Sequence, residues 1–347
     1  MKKLSWFNKL MFVLNMVLTV LTFVAYILPF LAPKLFPFLS VLTLVLPLML
    51  VLNFAFFLYW LLQLKRQMLL SGIVLLLGIT FINKFYKFGG TNLPEENRDF
   101  TLMSYNVRLF NLYEWLPRKD VPDSIVAFVK EQHPDILCLQ EYTPIKRVQF
   151  KQYKHRFIFT NDYKSGKFGQ AIYSKFPIIN SGHIPFPKTD NHAIFADIKK
   201  GKDTIRVYSM HLQSIRITPD IHERLDEERS RVIFNRMSKA FKEQQLQAEI
   251  VEKHKAECTY PMIICGDLNN SAFSYVYRSV KGKMNDAFEE AGSGFGKSYN
   301  FKYYPARIDY IFTAKEIEVK QYTTFKNFVN SDHFPVMTRL AFEEKEE

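Results

Sequence analysis

Two regimes of hydrophobic patterning divide the chain. Between Lys9 and Lys34 no residue is charged, and Leu, Val, Phe and Met dominate the 24 residues. As a helix they rise about 36 Å, more than the roughly 30 Å of a bilayer's hydrocarbon core. A second uncharged stretch runs from Leu35 to Leu64. Pro37 suits a helix start, and Pro47 introduces a kink of the kind tolerated inside a bilayer. A third, Gln67 to Asn83, is the shortest at 17 residues. The pattern predicts three transmembrane helices over about 10–33, 36–62 and 67–84. Tyr26, Tyr59 and Trp60 fall near span ends, where amphipathic rings favour the headgroup level. A cleaved signal peptide is the plainer reading of 10–33. Its apolar core exceeds the usual length of about 7–15 residues, no small-residue cleavage site follows, and a second long span does.

Beyond the Gly-Gly and Pro of Phe88–Asn97, a linker by composition, the pattern becomes alternating. The anchor therefore covers residues 1–90, the joint 91–97, and a second domain 98–347. Within that domain, residues 101–106, 135–140, 169–174, 193–198, 204–212, 261–266, 307–313, 316–322 and 335–342 read as strands. Ile125, Phe128 and Val129 recur at helical spacing behind Pro122-Asp-Ser124. A long charged helix is expected over about 221–255, with Leu225, Val232, Phe234, Met237 and Phe241 on its buried side. Strands outnumber helices, so the expected class is α+β with two packed sheets.

Charge sharpens this division. Residues 1–97 carry eight Lys/Arg and two acids, and the remaining 38 Lys/Arg and 32 acids lie beyond. The whole chain of 347 residues is 48% hydrophobic and 23% charged, which excludes a disordered protein. Three cysteines exclude a disulfide-stapled scaffold, and Cys138 and Cys265 sit within apolar runs as small core residues. With three spans and a cytoplasmic N-terminus, Lys2, Lys3, Lys9, Lys65 and Arg66 fall inside, against Lys34, Lys84 and Lys87 outside. That bias makes the chain a multi-pass membrane protein with its large domain on the extracytoplasmic side. A third stretch lying only on the surface would reverse the sidedness.

The candidate chemistry stands at the ends of buried strands. Asn106 and Glu141 end the first two; His211 ends the run Val207-Tyr-Ser-Met-His. Asp267 and Asn269 follow Met262-Ile-Ile-Cys-Gly, Asp309 lies in Arg307-Ile-Asp-Tyr, and Asp332 and His333 precede Pro335-Val-Met. Each alone also reads as a turn or cap residue. Together they are carboxylates, amides and imidazoles with no Cys-His cluster, which argues against zinc. Carboxylates and amides suit Mg²⁺ or Mn²⁺ completed by a phosphate, and amides and imidazoles suit phosphoryl oxygens in a transition state. The inventory is that of a metal-assisted phosphoester hydrolase.

The ordered set Ser104-Tyr-Asn106, Leu139-Gln-Glu141, His211-Leu-Gln-Ser214, Gly266-Asp-Leu-Asn269, Ile308-Asp309-Tyr and Ser331-Asp-His333-Phe-Pro-Val resembles the endonuclease/exonuclease/phosphatase superfamily. That family includes deoxyribonucleases, abasic-site endonucleases, inositol-polyphosphate phosphatases and sphingomyelinases. The resemblance covers about residues 98–343 and implies a four-layer α/β/β/α sandwich with the site at one mouth between the sheets. It implies that Glu141 is the principal metal ligand, helped by Asn106 and Asp332. It makes Asp267 the residue that orients or deprotonates the attacking water, and Asn269 the amide that holds that water or the phosphate. His333 becomes the imidazole that stabilises the phosphorane and Asp309 its orienting carboxylate. His211 becomes a second phosphate-facing imidazole, so that Asn106, Asn269 and His211 bind phosphate. Several nuclease members carry an acid two residues after the Asn; here Arg108 stands there, which favours one Mg²⁺ over two and leaves Arg108 as a phosphate contact or a solvent-facing residue.

Other features bear on the substrate. His211-Leu-Gln-Ser-Ile-Arg216 is similar to the His-Leu-Glu-Ser-Thr-Arg run of tyrosyl-DNA phosphodiesterases, with Gln213 in place of the acid. Arg229 and Arg231 either reach a phosphate or belong to a solvated helix face. Residues 146–167 hold seven Lys/Arg against Asp162, interleaved with Phe150, Tyr153, Phe157 and Tyr163. Such a stretch tracks a nucleic-acid backbone, faces anionic headgroups, or is simply a solvated sheet edge. Tethering to a bilayer raises the effective concentration of lipids and favours a lipid-headgroup or soluble phosphoester over DNA. The expected function is thus a membrane-anchored, metal-dependent phosphodiesterase or phosphatase. A membrane-bound nuclease acting on DNA or RNA and a non-catalytic phosphate-binding module are the alternatives. No protein partner is expected.

Overall fold

The computed structural model describes residues 4–163, 166–215, 227–302 and 304–343. Apolar helices come first: α1 (Trp6–Ile27), α2 (Leu42–Leu62), α3 (Met68–Gly78) and the short α4 (Ile82–Phe85). With their flanking turns they form runs over Trp6–Phe30, Leu39–Leu62 and Met68–Phe85, each long and apolar enough to cross a membrane by length and composition. The second run starts at Leu39, not at 36. Pro37 lies in the turn ahead of it and disfavours helical geometry at the residue before. Pro47 does sit inside α2.

Side-chain hydrogen bonds tie these helices together. Asn15 Nδ2 donates to Ser71 Oγ at 2.7 Å, Trp60 Nε1 donates to Asn15 Oδ1 at 3.0 Å, and Asn53 Nδ2 donates to Thr22 Oγ1 at 3.0 Å. Trp60, near the C-terminal end of α2, is consequently buried within the bundle. Its indole N–H needs an acceptor, and Asn15 supplies one from inside.

The second domain contains β1 (Phe100–Asn106), α5 (Val121–Gln132), β2 (Ile136–Tyr142), β3 (His155–Tyr163), β4 (Gly166–Ser174), β5 (Ile178–Pro185), β6 (His192–Lys200) and β7 (Asp203–His211). It continues with α6 (Glu227–Ala256), β8 (Met262–Asp267), α7 (Tyr275–Lys281), β9 (Asn285–Asp286), α8 (Ala287–Ala291), β10 (Asp309–Thr313), β11 (Ile317–Thr324) and β12 (Val336–Phe342). Two mixed six-stranded sheets result, ordered β11-β12-β1-β2-β4-β3 and β5-β6-β7-β8-β10-β9. The two parallel pairs are β1 with β2 and β7 with β8, at the middle of each sheet.

Alternation along the strands builds the layers. Leu102, Cys138, Val207, Ile263, Cys265 and Leu340 fill the space between the sheets. Met103 and Leu137 turn outward to Ile125 and Val129 of α5, while Tyr208 and Ile264 turn outward to Ala248 of α6 and Val276 of α7. The α/β/β/α sandwich follows. Both faces of the central strands are covered, so their sequences read as nearly unbroken apolar runs.

Three strands, β3, β5 and the two-residue β9, carried no such signal. β3 and β5 are the outer strands of the two sheets, and β5 leaves most of its residues half-buried or exposed. The basic aromatic stretch is this edge: Phe150 and Tyr153 are buried core residues and Phe157 packs on the inter-sheet core. Tyr163's side chain, Lys164 and Ser165 lie outside the described residues. In α6, Met237 and Phe241 are buried as expected, but Val232 and Phe234 are exposed. That end of the helix runs past the sheet, and Phe234 stacks on Phe38 of the apolar region with ring centroids 5.4 Å apart. Residues 221–226 lie outside the described residues.

The linker and the apolar helices are docked on the second domain. Lys87 exchanges both backbone hydrogen bonds with Gly294 at 2.9 Å, and Leu93 N donates to Lys320 O at 3.1 Å. Phe273 is buried among Ala25, Leu46 and Met49. Ser271 Oγ donates to Thr43 O at 3.2 Å, and Arg307 Nη2 donates to Lys84 O at 3.1 Å. Arg307 is itself fixed by a buried pair with Asp286 at 2.7 Å.

Candidate active site

Strand register brings the polar strand ends together. Asn106 lies beside Gln140, His211 beside Asp267, and Asp267 beside Asp309. Glu141 follows Gln140, but its direction is set by a β-bulge: the β2–β4 register shifts between Leu139 and Tyr142, and Glu141 has φ 47°. The bulge turns a carboxylate that regular pleating would place elsewhere. Gly266, just before Asp267, has φ +130°, and a Cβ there would lie 2.0 Å from Met210 O. Only glycine allows β8 to approach β7 this closely at that backbone angle.

Asp267 is buried and held on both oxygens. Oδ1 accepts from Asn269 N at 2.7 Å; Oδ2 accepts from Asn106 Nδ2 and Asn269 Nδ2, both at 3.1 Å. Asn269, at φ 50°, also donates to Leu212 O at 3.0 Å, which locks its amide. Asn106 Nδ2 further donates to Glu141 Oε1 at 3.1 Å. His333 Nδ1 pairs with Asp309 Oδ2 at 2.9 Å, and its Nε2 faces Asp267 Oδ2 at 3.6 Å. His211 Nε2 lies 3.7 Å from both Glu141 Oε1 and Asp267 Oδ2. Asp332 Oδ2 lies 3.4 Å from Arg108 Nη1, whose guanidinium covers the Trp115 ring at 4.4 Å. Every site residue expected from the sequence is thus in one cluster. Arg108 faces Asp332 within it, while Arg231 is exposed on α6. Arg216 and the side chain of Arg229 lie outside the described residues.

The two imidazoles carry different charges. Burial, with the His333 charge beside it, pushes His211 down to about 4, so it is neutral and forms no ion pair. Burial alone lowers His333 as well, but the Asp309 and Asp267 carboxylates outweigh it and hold its imidazolium well above the ordinary histidine value. Burial pushes Asp267 up to about 8 against the pull of His333. Burial and then Asp332 push Glu141 up. Four carboxylates thus converge with only the His333 and Arg108 cations among them. Asp309 Oδ1 and His211 Nε2 are buried without a hydrogen-bond partner among the described residues. This excess of hard oxygen donors fits a small divalent cation. Donor atoms of Asp267, Asp309 and His333 also lie within 4.8 Å of one another. That buried trio already satisfies most of its capacity internally, through the Asp309–His333 pair and the three N–H groups on Asp267.

Supporting residues were missed because their contacts are nonlocal. Ser298 Oγ accepts from Ile308 N and Asp309 N, both at 3.0 Å, and fixes the start of β10. Ser331 Oγ donates to Asn106 O at 2.9 Å. Beneath the mouth, Gln140 Nε2 donates to Ser209 Oγ, which donates to Gln170 Oε1, each at 2.9 Å, bridging the two sheets. Their sequence signal was polar residues at inward strand positions, which a dry core excludes unless they are paired.

Residues 103–333 match the model described as the Endonuclease/Exonuclease/phosphatase family. Residues 8–85 match a model described only as a domain of unknown function. No curated protein matches. Among solved structures, an endonuclease/exonuclease/phosphatase from Bacteroides vulgatus is 17% identical, with a TM-score of 0.54 over 71% of this chain and 99% of that one. The human Nocturnin catalytic domain with bound sulfate is 20% identical, at 0.52 over 72% and 97%. D. rerio TDP2 complexed with a single-strand DNA product is 17% identical, at 0.53 over 70% and 99%. These three likenesses are of fold.

Proposed function

The chain belongs to the endonuclease/exonuclease/phosphatase family, whose members are hydrolases acting on phosphoester bonds, and from this premise we propose that it is a membrane-anchored, divalent-metal-dependent phosphoester hydrolase. The observation that carries the reading is the buried Asp267 facing the Asp309-paired His333 across 3.6 Å. Asp267, aimed by three N–H donors, orients a water molecule and takes its proton as the water oxygen bonds to phosphorus. Asn269, whose two amide hydrogens go to Leu212 O and Asp267, accepts from that water through its carbonyl oxygen. His333, charged through Asp309, donates from Nε2 to a phosphoryl oxygen as negative charge grows. Neutral His211, whose Nε2 has no hydrogen-bond partner among the described residues, contacts the phosphate, while Asn106 spends its amide hydrogens on Asp267 and Glu141 and positions those carboxylates instead of donating to phosphate. The ester P–O bond then breaks and the leaving oxygen is protonated.

Glu141, Asn106 and Asp332 are the residues that would hold the cation, Mg²⁺ or Mn²⁺. When bound, the cation supplies positive charge that keeps these carboxylates ionised and polarises the phosphoryl oxygen. The full chain in detergent, given a generic phosphodiester, a phosphomonoester, inositol phosphates, sphingomyelin, DNA and RNA, is expected to release product from at least one non-nucleic phosphoester. EDTA is expected to abolish that release and added Mg²⁺ to restore it. Exclusive, salt-sensitive degradation of DNA or RNA would establish the nuclease alternative. Mg²⁺ binding without any turnover would establish a binding module.

The catalytic domain is placed on the extracytoplasmic side, supported by five Lys/Arg on the inner loops against three on the outer. A C-terminal alkaline phosphatase fusion is expected to be active and a C-terminal fluorescent-protein fusion dark; the reverse pattern would put the domain inside.

A further inference from the structure

The catalytic cluster forms only one end of a cavity of about 520 Å³. Glu141, Asp267, Asp332 and His333 line that end. Much of the remaining wall is hydrocarbon, broken by the cations Lys84 and Arg307, and part of it comes from the apolar N-terminal region: Leu44, Val45 and Leu48 of α2, and Phe85 at the end of the third helical run. Phe273, Phe295 and Phe301 continue that wall within the catalytic domain. The size is that of a pocket for one small-molecule ligand or part of a lipid.

Val45 and Leu48 line the cavity and are 40% and 55% exposed, so this part of α2 presents apolar surface not covered by protein. A site for a water-soluble ester has no use for such a wall, and apolar surface left against water costs about 25 cal/mol per Å². The wall is also fixed in place. Phe273 is buried among α1 and α2 residues, Ser271 bonds to Thr43, Arg307 bonds to Lys84, and the extended segment after Phe85 is bound to Gly294. Loop residues 269–273, which carry the phosphate-facing Asn269, therefore touch both the catalytic cluster and the spanning helices.

We infer that the substrate is an amphiphilic phosphoester of the bilayer, its hydrocarbon chain lying against Leu44, Val45 and Leu48 while its phosphate sits between Asp267 and His333. This rests on the hydrolase reading above and adds the substrate class. In it, α2 is a specificity element as well as an anchor.

The test compares two esters with the same phosphate and leaving group, methyl para-nitrophenyl phosphate and hexadecyl para-nitrophenyl phosphate. The full chain is held in phosphatidylcholine nanodiscs with Mg²⁺, and nitrophenolate release is followed. The wild-type chain is expected to show kcat/KM about 100-fold higher for the hexadecyl ester. Because that ester also concentrates in the bilayer, the decisive comparison is with Leu48→Trp, which leaves partitioning unchanged and fills the cavity. It is expected to lower hexadecyl turnover about 10-fold and leave methyl turnover within about twofold. Val17→Trp, on an exposed α1 position outside the cavity, is expected to change neither. Val45→Trp repeats the measurement should Leu48→Trp fail to fold. Hydrolysis of the methyl ester with no selective loss in a folded cavity variant overturns the substrate class and leaves the hydrolase reading standing. Failure of the wild-type chain on both esters, beside turnover of another phosphoester of the panel above, overturns the substrate class and leaves the hydrolase reading; failure on that whole panel removes both.

Discussion

Replacing Asp267 by Asn is expected to lower kcat/KM about 10³-fold or more for whichever phosphoester the chain hydrolyses. The carboxylate accepts three N–H groups and donates none. An amide cannot reproduce that: whichever way it turns, its NH₂ meets either Asn269 N or the two amide donors from Asn106 and Asn269. Water loses both its base and its positioning group. Stability is expected to move little or to rise, because burial already disfavours the charged form of this carboxyl. A thermal melt in detergent that stays level or rises beside a collapsed rate marks a group kept for chemistry at some expense of the fold. Retention of more than about a tenth of wild-type activity in a folded variant would sink the role.

What the chain disclosed beforehand follows from where each feature keeps its information. β1, β2 and β8 were legible because strands covered on both faces need apolar residues at nearly every position, and Asn106, Glu141 and Asp267 then stand out as polar residues at or near their C-terminal ends. β3 and β5 were not, because these edge strands face solvent on part of their surface and dilute their own alternation with residues such as Asn, Asp and Ser. The burial of Trp60 was hidden for a related reason: its place near the end of the span was readable, whereas its partner Asn15 lies 45 residues away. The aim of Glu141 depends on a bulge, the setting of β10 on Ser298, and the apolar wall of the cavity on helices more than 200 residues from His333. None of these leaves a local trace. Two packed sheets were readable from the strands themselves, whereas the four-layer order and the grouping of the eight residues were readable only through the resemblance of the ordered motifs to the family, since the register that carries strand ends to one mouth is not written in any one of them.

The second large effect is expected at Asp309. Asp309→Asn keeps an oxygen able to accept from His333 Nδ1, so the ring's orientation survives while the charge behind it is removed. Turnover is expected to fall about 10²-fold at neutral pH. The pH profile separates charging from orientation. Asp309 and Asp267 together hold His333 protonated well above the usual histidine range against burial, which alone would lower it. The working form is the imidazolium, present below the folded-state pKa and lost as pH rises through it. With Asp309 neutralised, burial acts against Asp267 alone, so the pKa drops and the alkaline limb of kcat/KM moves to lower pH. The acidic limb, set by the carboxylates that must ionise, is expected to move far less. Asp309 Oδ1 has no hydrogen-bond partner among the described residues, so no other hydrogen bond is lost, although the Asp309 charge also pushes Asp267 and His211 upward and its removal relaxes both. An alkaline limb that stays in place, beside a reduced plateau, would show that Asp309 orients the ring without charging it. His333 would then act as a neutral donor, and the positive charge facing the phosphate would have to come from the cation and Arg108.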